Sequence, residues 1–539
     1  MNEPLSRFLR ALAPMPHFMS LAPLDAWVRL LFFPWARVGV VYLPRVVMGL
    51  FTSAIATALT LPERVLLAPV LWLAGARSRW RLRHPPGVVI VLGYPRSGTT
   101  HLHYLLSCNP RFWTPRWHHA VAPQGFFLSW SFLRVMLVPF LSNTRLMDDM
   151  AFGPEWPAED EFAVNNWCLA SSLPGRLIVP RLHGHYHRFH GLDELTPRER
   201  SRWRRYTWAF AWKLARLARS RAILLKSPSH TARVRELTDL FGAERVRYVH
   251  ISRDPRAVVA SNLSMLRRAQ VYHLHGAPDA EAIRRGLADE LVATEEKYRR
   301  EAVQAASGGA RVSEVRYQDL VADPMGEMRR VHDELGLDWT PAVEAGLARY
   351  LHTVADYRAA TPAGGGPGGA STPEPKLDAL ARDFGHDRPT VAVKPLPPVV
   401  PAALAPRPRA GLTLVVSAAL AVLAWVGIAR VVGDRCDWII WPIGAAIGYA
   451  AVRAARAGST RLGLAATAAT LLVLLAAFWP ATFFSEYYPR PVRNWRWKED
   501  VWESTWTGFW ETGNVPWIVI GLLSAYRFAS RRHVHPPGG

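Results

Sequence analysis

Residues 88–100, Val-Val-Ile-Val-Leu-Gly-Tyr-Pro-Arg-Ser-Gly-Thr-Thr, carry the residue types and spacing that most constrain the chemistry of this chain. Five apolar residues run into a turn rich in Gly, Ser and Thr, and an apolar helical pattern resumes at Leu102. That pattern predicts a strand, a loop and a helix, with the loop at the helix N-terminus. Backbone N–H groups and the helix dipole favour a phosphate there. The spacing Gly93-x4-Gly98 is that of a triphosphate-binding loop, yet Thr99 stands where such a loop has its lysine. Arg96 is the loop's only cation. A γ-phosphate and its magnesium would lose their usual partner, so the loop suits a different phosphate ester.

Two further apolar runs end in cations. Residues 222–226 end at Lys226, within Lys-Ser-Pro-Ser-His230, and residues 246–252 are followed by Arg253-Asp-Pro. The chain has six lysines among its 65 basic residues, which gives Lys226 more weight than an ordinary surface lysine after a strand. Buried-type strands at 88–92, 222–226, 246–251 and 311–315, separated by helical stretches, predict an α/β fold with a P-loop-like parallel sheet flanked by helices. Nucleotide sites in such sheets lie at the carboxyl ends of the strands. The phosphate loop, Lys226 and Arg253 all fall there.

Pro95-Arg-Ser-Gly-Thr-Thr100 resembles the 5′-phosphosulfate loop of sulfotransferases that use 3′-phosphoadenosine-5′-phosphosulfate (PAPS). The similarity continues through Ala222–His230, Val246–Ser261, Arg145–Met150 with Pro157–Phe162, and Val312–Pro324, so that it covers roughly residues 85–355. It implies in-line transfer of a sulfuryl group from PAPS to a hydroxyl or amine. The 5′-phosphate would be held by Arg96 and the N–H groups of Ser97, Gly98, Thr99 and Thr100. Lys226 would help to stabilise the leaving phosphate. Arg253 and Ser261, eight residues apart, would bind the 3′-phosphate, which puts Arg96 and Arg253 at opposite ends of the co-substrate. No metal is required, because no triphosphate must be neutralised.

The acceptor needs a base. Related enzymes use a Glu or His just after the first helix. Here Trp117-His118-His119 stands in that place, which makes His118 one candidate. Glu159 and Glu161, in Glu-Asp-Glu before Phe162, are the others, and Glu161 is favoured on the resemblance. An ordinary helix N-terminus would also attract such acids. Two other classes stay open: a P-loop-type nucleotide kinase, opposed by Thr99, and a non-catalytic nucleotide-binding membrane scaffold.

Two features are set aside. His183, His185, His187 and His190 lack a standard zinc spacing, and Cys108, Cys168 and Cys436 form neither a zinc set nor a disulfide framework. The basic, Trp-rich stretch Arg198–Arg221 repeats its apolar residues at helical spacing. It predicts an amphipathic helix with a solvated basic face, suited to lipid headgroups, in preference to a nucleic-acid site.

The net charge of +22 over 539 residues fits an anionic co-substrate and an anionic membrane face. Residues 1–35 lack the clean apolar core and cleavage site of a signal peptide. Residues 38–76 are apolar but carry Arg45 and Pro62-Glu-Arg64, which predicts either a membrane hairpin or a pair of interfacial helices. Near the C-terminus four apolar runs, 411–432, 438–452, 462–484 and 515–529, predict about four membrane spans. Arg453, Arg456 and Arg461 in one loop, with Arg531 and Arg532 in the tail, predict that both lie in the cytoplasm. The loop 485–514, with Trp495, Trp497, Trp502, Trp506 and Trp510, then lies outside. The predicted organisation is N-terminal membrane-associated helices (1–80), a sulfotransferase domain (81–360), a Pro/Gly-rich linker (361–410) with a short helix at 374–384, and a transmembrane region (411–530). Since bacterial PAPS is cytoplasmic, the resemblance implies a cytoplasmic catalytic domain at the inner membrane, with an acceptor that is lipid-like or membrane-presented.

Overall fold

The computed structural model describes residues 17–32, 39–84, 86–127, 129, 153–274, 280–355, 375–395, 410–432, 437–455, 460–482 and 515–530. They fold into two compact units, one of the described residues up to 395 and one from 410 onwards.

The first unit is built on a parallel sheet in the order β2-β3-β1-β4-β5. The strands are β1 (Val88–Leu92), β2 (Phe112–Trp113), β3 (Ala222–Lys226), β4 (Val246–Ser252) and β5 (Arg311–Arg316). The four predicted strands are present. β2 was not expected, because two residues are too few to carry a periodic pattern. β1 is buried along its whole length, as a central strand covered on both faces must be. Val91 lies opposite Lys226, and Leu92 opposite His250. That register ends β1, β3 and β4 at nearly one level. β1 sits between β3 and β4, where the chain crosses from one side of the sheet to the other, the position at which such sheets bind ligands.

Eight helices of this unit matter below: α1 (Leu24–Leu31), α2 (Leu43–Ser78), α3 (Thr99–Ser107), α4 (Asp160–Cys168), α5 (Pro197–Ala218), α6 (Val234–Phe241), α7 (Pro255–Arg268) and α8 (Ala280–Ser307). α5 is the predicted amphipathic helix. Thr196 and Glu199 form a capping box, Pro197 opens the first turn, and Trp203, Trp208, Phe210 and Leu214 face inward. Truncating Trp208 to Ala would cost about 3–5 kcal/mol of stability.

For residues 38–76, α2 replaces the two expected segments with one, which by length and composition can cross a membrane. It is one continuous helix of 36 residues that runs through Pro62 and Pro69. It packs in the same unit as the sheet instead of forming a separate segment: Arg45 donates to the carbonyl of His273 at 2.7 Å, and Glu63 accepts from the N–H of Phe126 at 3.0 Å. Contacts along one side outweigh the two backbone bonds that proline removes.

The second unit contains helices Ala410–Val432, Ile440–Ala455, Thr460–Thr482 and Val515–Ser530, at the positions of the four predicted spans. By length and composition the first and third can cross a membrane, while the other two are shorter. A Cβ on Gly444 would lie 2.1 Å from the carbonyl oxygen of Gly521, so glycine lets these two backbones touch. The helix predicted at 374–384 is Pro375–Asp383. The rest of the linker up to Pro408 apart from 375–395, the Trp-rich loop 485–514, Arg145–Met150, Arg456 and the tail arginines lie outside the described residues.

Candidate functional site

The turn after β1 depends on two glycines. Gly93 has φ +142°, and a Cβ there would sit 2.5 Å from the carbonyl oxygen of Ile251. Gly98 has φ +104°, and a Cβ there would strike the Tyr317 ring at 2.4 Å. Arg96 adopts φ +74°, unusual for a residue with a side chain. The loop is fastened from three sides. Gly93 N–H donates to Thr231 Oγ1 (2.7 Å), Asn262 Nδ2 donates to the Pro95 carbonyl (2.8 Å), and Ser97 Oγ donates to the Tyr94 carbonyl (2.8 Å). The Ser97 N–H also donates to Tyr94, at 3.1 Å. Ser97 therefore shapes the loop through both its side chain and its backbone N–H. α3 starts at Thr99 with no side chain capping Gly98. The first turn of a helix generally leaves its N–H groups without a carbonyl in the preceding turn, which favours an anion at such a helix start.

One cation lies within this loop and a second reaches it from the end of β4. Arg96 Nε donates to Ser261 Oγ on α7 at 3.0 Å. Arg253 donates to the Arg96 carbonyl at 3.3 Å, and its guanidinium lies over the Tyr317 ring, 4.7 Å from the centroid. The Arg-Asp-Pro turn does cap a helix, but through Asp254, whose carboxylate accepts from the Ala257 N–H at 2.9 Å. Arg96, Arg253 and Ser261 thus form one cluster of direct bonds.

Lys226 enters from β3. Its buried Nζ donates to Glu159 Oε1 at 2.5 Å and to Thr100 Oγ1 at 3.0 Å. This bond begins a ladder of three. Asp160 pairs with His230 at 2.8 Å, and Glu161 with Arg233 at 2.6 Å. Consecutive acids at the start of α4 thereby meet consecutive turns of residues 226–233. The isolated bridge between Arg116 and Pro157, with Ala158 N–H donating to Pro115 at 2.8 Å, delivers α4 to this place.

The ladder separates the two glutamates. Glu161 is 1 % exposed. It accepts from Arg233, from Ser229 Oγ (2.8 Å) and from the Ser172 N–H (2.8 Å). Burial pushes its carboxyl up, but Arg233 and these bonds outweigh burial and hold it below the usual carboxylate range. The Glu159 side chain does not cap α4; its Oε2 is buried too, but has no hydrogen-bond partner among the described residues. His118 is turned to another segment: its Nδ1 and the Pro154 carbonyl are 2.9 Å apart, and its ring packs 3.9 Å from that of His119. The structure thus joins Arg96, Arg253 and Ser261 in one set of direct bonds and Thr100, Lys226 and Glu159 in a second, while Glu161 pairs with Arg233. Thr231, Asn262, Tyr317 and Arg233 were missed. All four lie within or beside the sequence blocks singled out above, but their roles depend on partners far along the chain.

Beside Tyr94 and Pro95 opens a cavity of about 900 Å³. Leu173, Leu177, Met265, Leu266, Ile283 and Leu287 line it, and Arg176, Arg181, Asp289 and Glu290 supply charges, Arg176 and Glu290 lying 3.0 Å apart. Burial raises the Glu290 carboxyl, yet Arg176 dominates and brings it to about 2. The histidines of residues 183–190 stack near this wall, His183 on His187 and His187 on His190, each at 6.0 Å. Among the described residues no group of three or more His, Cys, Asp or Glu is arranged to hold a metal.

A sequence model of the sulfotransferase family matches residues 86–341. Over 280 residues, 51% of this chain and 68% of the relative, the chain is 32% identical to omega-hydroxy-beta-dihydromenaquinone-9 sulfotransferase Stf3 of Mycobacterium bovis and of Mycobacterium tuberculosis. The chain belongs to the sulfotransferase family. Solved sulfotransferase structures resemble it more distantly. Sulfotransferase STF9 of Mycobacterium avium is 18% identical with a TM-score of 0.47, covering 69% of this chain and 93% of that one. Sulfotransferase STF1 of Mycobacterium tuberculosis is 16% identical with a TM-score of 0.43, covering 71% and 98%. In this sulfotransferase the family match spans all five strands, the phosphate loop and the acid–base ladder.

Proposed function

We propose that this sulfotransferase takes its sulfuryl group from PAPS and transfers it to a hydroxyl or amine of an apolar, membrane-borne acceptor. The observation that carries this reading is the meeting of Arg96, Lys226, Arg253 and Ser261 around one phosphate loop. Cations from two strand ends plus the first turn of a helix suit a nucleotide with phosphates at two positions.

Glu159 Oε2 takes the acceptor proton as the acceptor's oxygen or nitrogen bonds to sulfur. The bond between sulfur and the 5′-phosphate oxygen breaks. Arg96, Lys226 and the N–H groups of Thr99 and Thr100 carry the charge that develops on the leaving phosphate. Arg253 and Ser261 hold the 3′-phosphate. The uncapped helix start and the fastened loop fit these demands.

The apolar cavity beside Pro95 supports an acceptor with an apolar body. The Mycobacterium relative's menaquinone-derived acceptor is of that kind, and we extend it here as a class only. The catalytic unit faces the cytoplasm, and residues 361–410 tether it to the C-terminal helices. Tethering raises its effective concentration for membrane-borne acceptors.

Two measurements test this. 3′,5′-Diphosphoadenosine should stabilise the purified protein against heat, and magnesium ATP should not. Labelled sulfate from PAPS should appear in the lipid fraction of a cell extract. Protection by magnesium ATP alone would favour a kinase and overturn the proposal.

A further inference from the structure

α2 is amphipathic the wrong way round for a helix on a water-soluble domain. Its buried stripe includes Arg45, Ser53, Thr60 and Glu63. Each has a polar partner: the His273 carbonyl (2.7 Å), the Ala22 carbonyl (2.6 Å), the Ala56 carbonyl (2.7 Å), and for Glu63 the N–H groups of Phe126 and Phe127 with Lys213 at 3.4 Å. The outward stripe is apolar. Phe51 is 61% exposed, Val65 62%, Leu66 64% and Trp72 67%. Contiguous apolar exposure on this scale marks an interaction surface.

The far end of the helix is basic. The chain reverses at Arg79 and Trp80, both at positive φ, and Trp80 packs edge-on against Trp208 of α5 at 5.1 Å. A cleft of about 1180 Å³ opens at this corner. Seven arginines line it and no acidic residue does; Arg204 lies 3.6 Å from Glu236, and the other six are Arg77, Arg79, Arg81, Arg83, Arg216 and Arg219. None of the six pairs with an acid among the described residues. Arg216 lies over the Trp212 ring, 4.6 Å from its centroid. The apolar stripe runs directly into this cleft through Trp72, Leu73 and Ala74.

We propose that the outward face of α2 lies in one leaflet of the membrane and that the arginine cleft at its end binds the phosphate headgroup of an anionic phospholipid. An apolar helix face ending in unpaired arginines and tryptophans has the charge and depth profile of a lipid interface. A protein partner would need an apolar strip and an acidic knob at matching positions, whereas an anionic bilayer presents both everywhere. The catalytic unit thus carries its own membrane contact, independent of the C-terminal helices. The inference rests on the membrane-associated reading above but not on the chemistry of the site.

Nitroxide labels at Phe51, Val65 and Trp72 test it in the full-length protein, reconstituted in vesicles of phosphatidylcholine with or without phosphatidylglycerol. In the anionic vesicles all three labels should be more accessible to oxygen than to a water-soluble nickel complex, the order expected within lipid. The triple variant R79E/R81E/R216E should lose that preference at Trp72, with its thermal midpoint unchanged. Equal access from water at all three positions would overturn the proposal, and so would labels shielded from both reagents, which would mean a protein cover. A lipid-like pattern at all three labels that is the same with and without phosphatidylglycerol, and unmoved by the triple variant, would overturn the headgroup site. None of these outcomes depends on sulfuryl transfer, so an inactive preparation leaves the result readable.

Discussion

Arg96 and Ser261, 165 positions apart, are joined by a 3.0 Å hydrogen bond from guanidinium Nε to hydroxyl oxygen. The bond ties the phosphate loop to α7. It also holds Arg96 in its left-handed backbone conformation, with Arg253 braced on the same residue's carbonyl. A phosphate at Ser261 would compete for Arg96, so the loop's cation is sensitive to what α7 holds.

Arg253→Ala should weaken binding of 3′,5′-diphosphoadenosine by about 1.5–3 kcal/mol, the scale of one charge-assisted hydrogen bond. Ser261→Ala should weaken it by about 0.5–1.5 kcal/mol, as for a neutral one. Arg96→Ala should lower turnover as well as affinity. Calorimetric titration checks the affinities, and an unchanged value for Arg253→Ala removes that assignment.

Glu159→Gln and Glu161→Gln should fail in different ways. Glu159→Gln keeps a hydrogen-bond acceptor for Lys226 and loses the base, so turnover should fall about 10²–10⁴-fold with little change in stability. Glu161→Gln should destabilise the fold while the remaining folded enzyme turns over. Measuring kcat beside the thermal midpoint for both variants separates the roles. Full activity in Glu159→Gln would exclude it as the base.

Arg233 is fully buried and serves Glu161 and the carbonyls of Phe189 and His190. Arg233→Ala leaves the Glu161 carboxylate unpaired in the interior and should cost about 3–5 kcal/mol. Chemical denaturation should show this as a lower midpoint at an unchanged slope.

Acid should weaken the catalytic unit well before its carboxylates titrate. Burial lowers His17 to about 3, His101 to about 4 and His190 to about 3. In the unfolded chain these groups titrate near 6.5. Between about 6.5 and 4 the unfolded state therefore takes up protons that the folded state refuses, and stability falls as pH falls. At pH 5 each histidine contributes a loss on the order of 1–2 kcal/mol. Thermal midpoints from pH 7.5 to pH 5 should decline, and His190→Gln should flatten the decline. A midpoint that is level or rising over that range would contradict the assignment.

The orientation of the chain can be mapped by single cysteines. Residues placed at 453–461 should resist membrane-impermeant reagents in intact cells, and residues placed at 485–514 should react. Labelling of 453–461 from outside would reverse the topology and undo the argument for a cytoplasmic catalytic unit.

What the sequence determined by itself is local. The strand–loop–helix at Val88–Ser107, the strands ending at Lys226 and Ser252, and the apolar helices from Ala410 onwards each follow from a period or a composition within one segment. Their carboxyl-end convergence followed from the rule for parallel sheets, without side-chain coordinates. Only the tertiary structure decided between neighbours of the same type. Glu159 and Glu161 look alike in sequence, since both are acids at a helix start. One lies beside Lys226 with an oxygen to spare, and the other is enclosed by Arg233, Ser229 and Ser172, because successive residues of a helix point about 100° apart. α2 was equally ambiguous. Its composition is that of a membrane segment, but which face it buries depends on Arg45 and Glu63 finding partners at His273 and Lys213. Those partners lie 228 and 150 residues away, beyond the reach of any periodicity. Short-range pattern specifies the elements, and long-range pairing of buried polar groups selects which of their residues face the site.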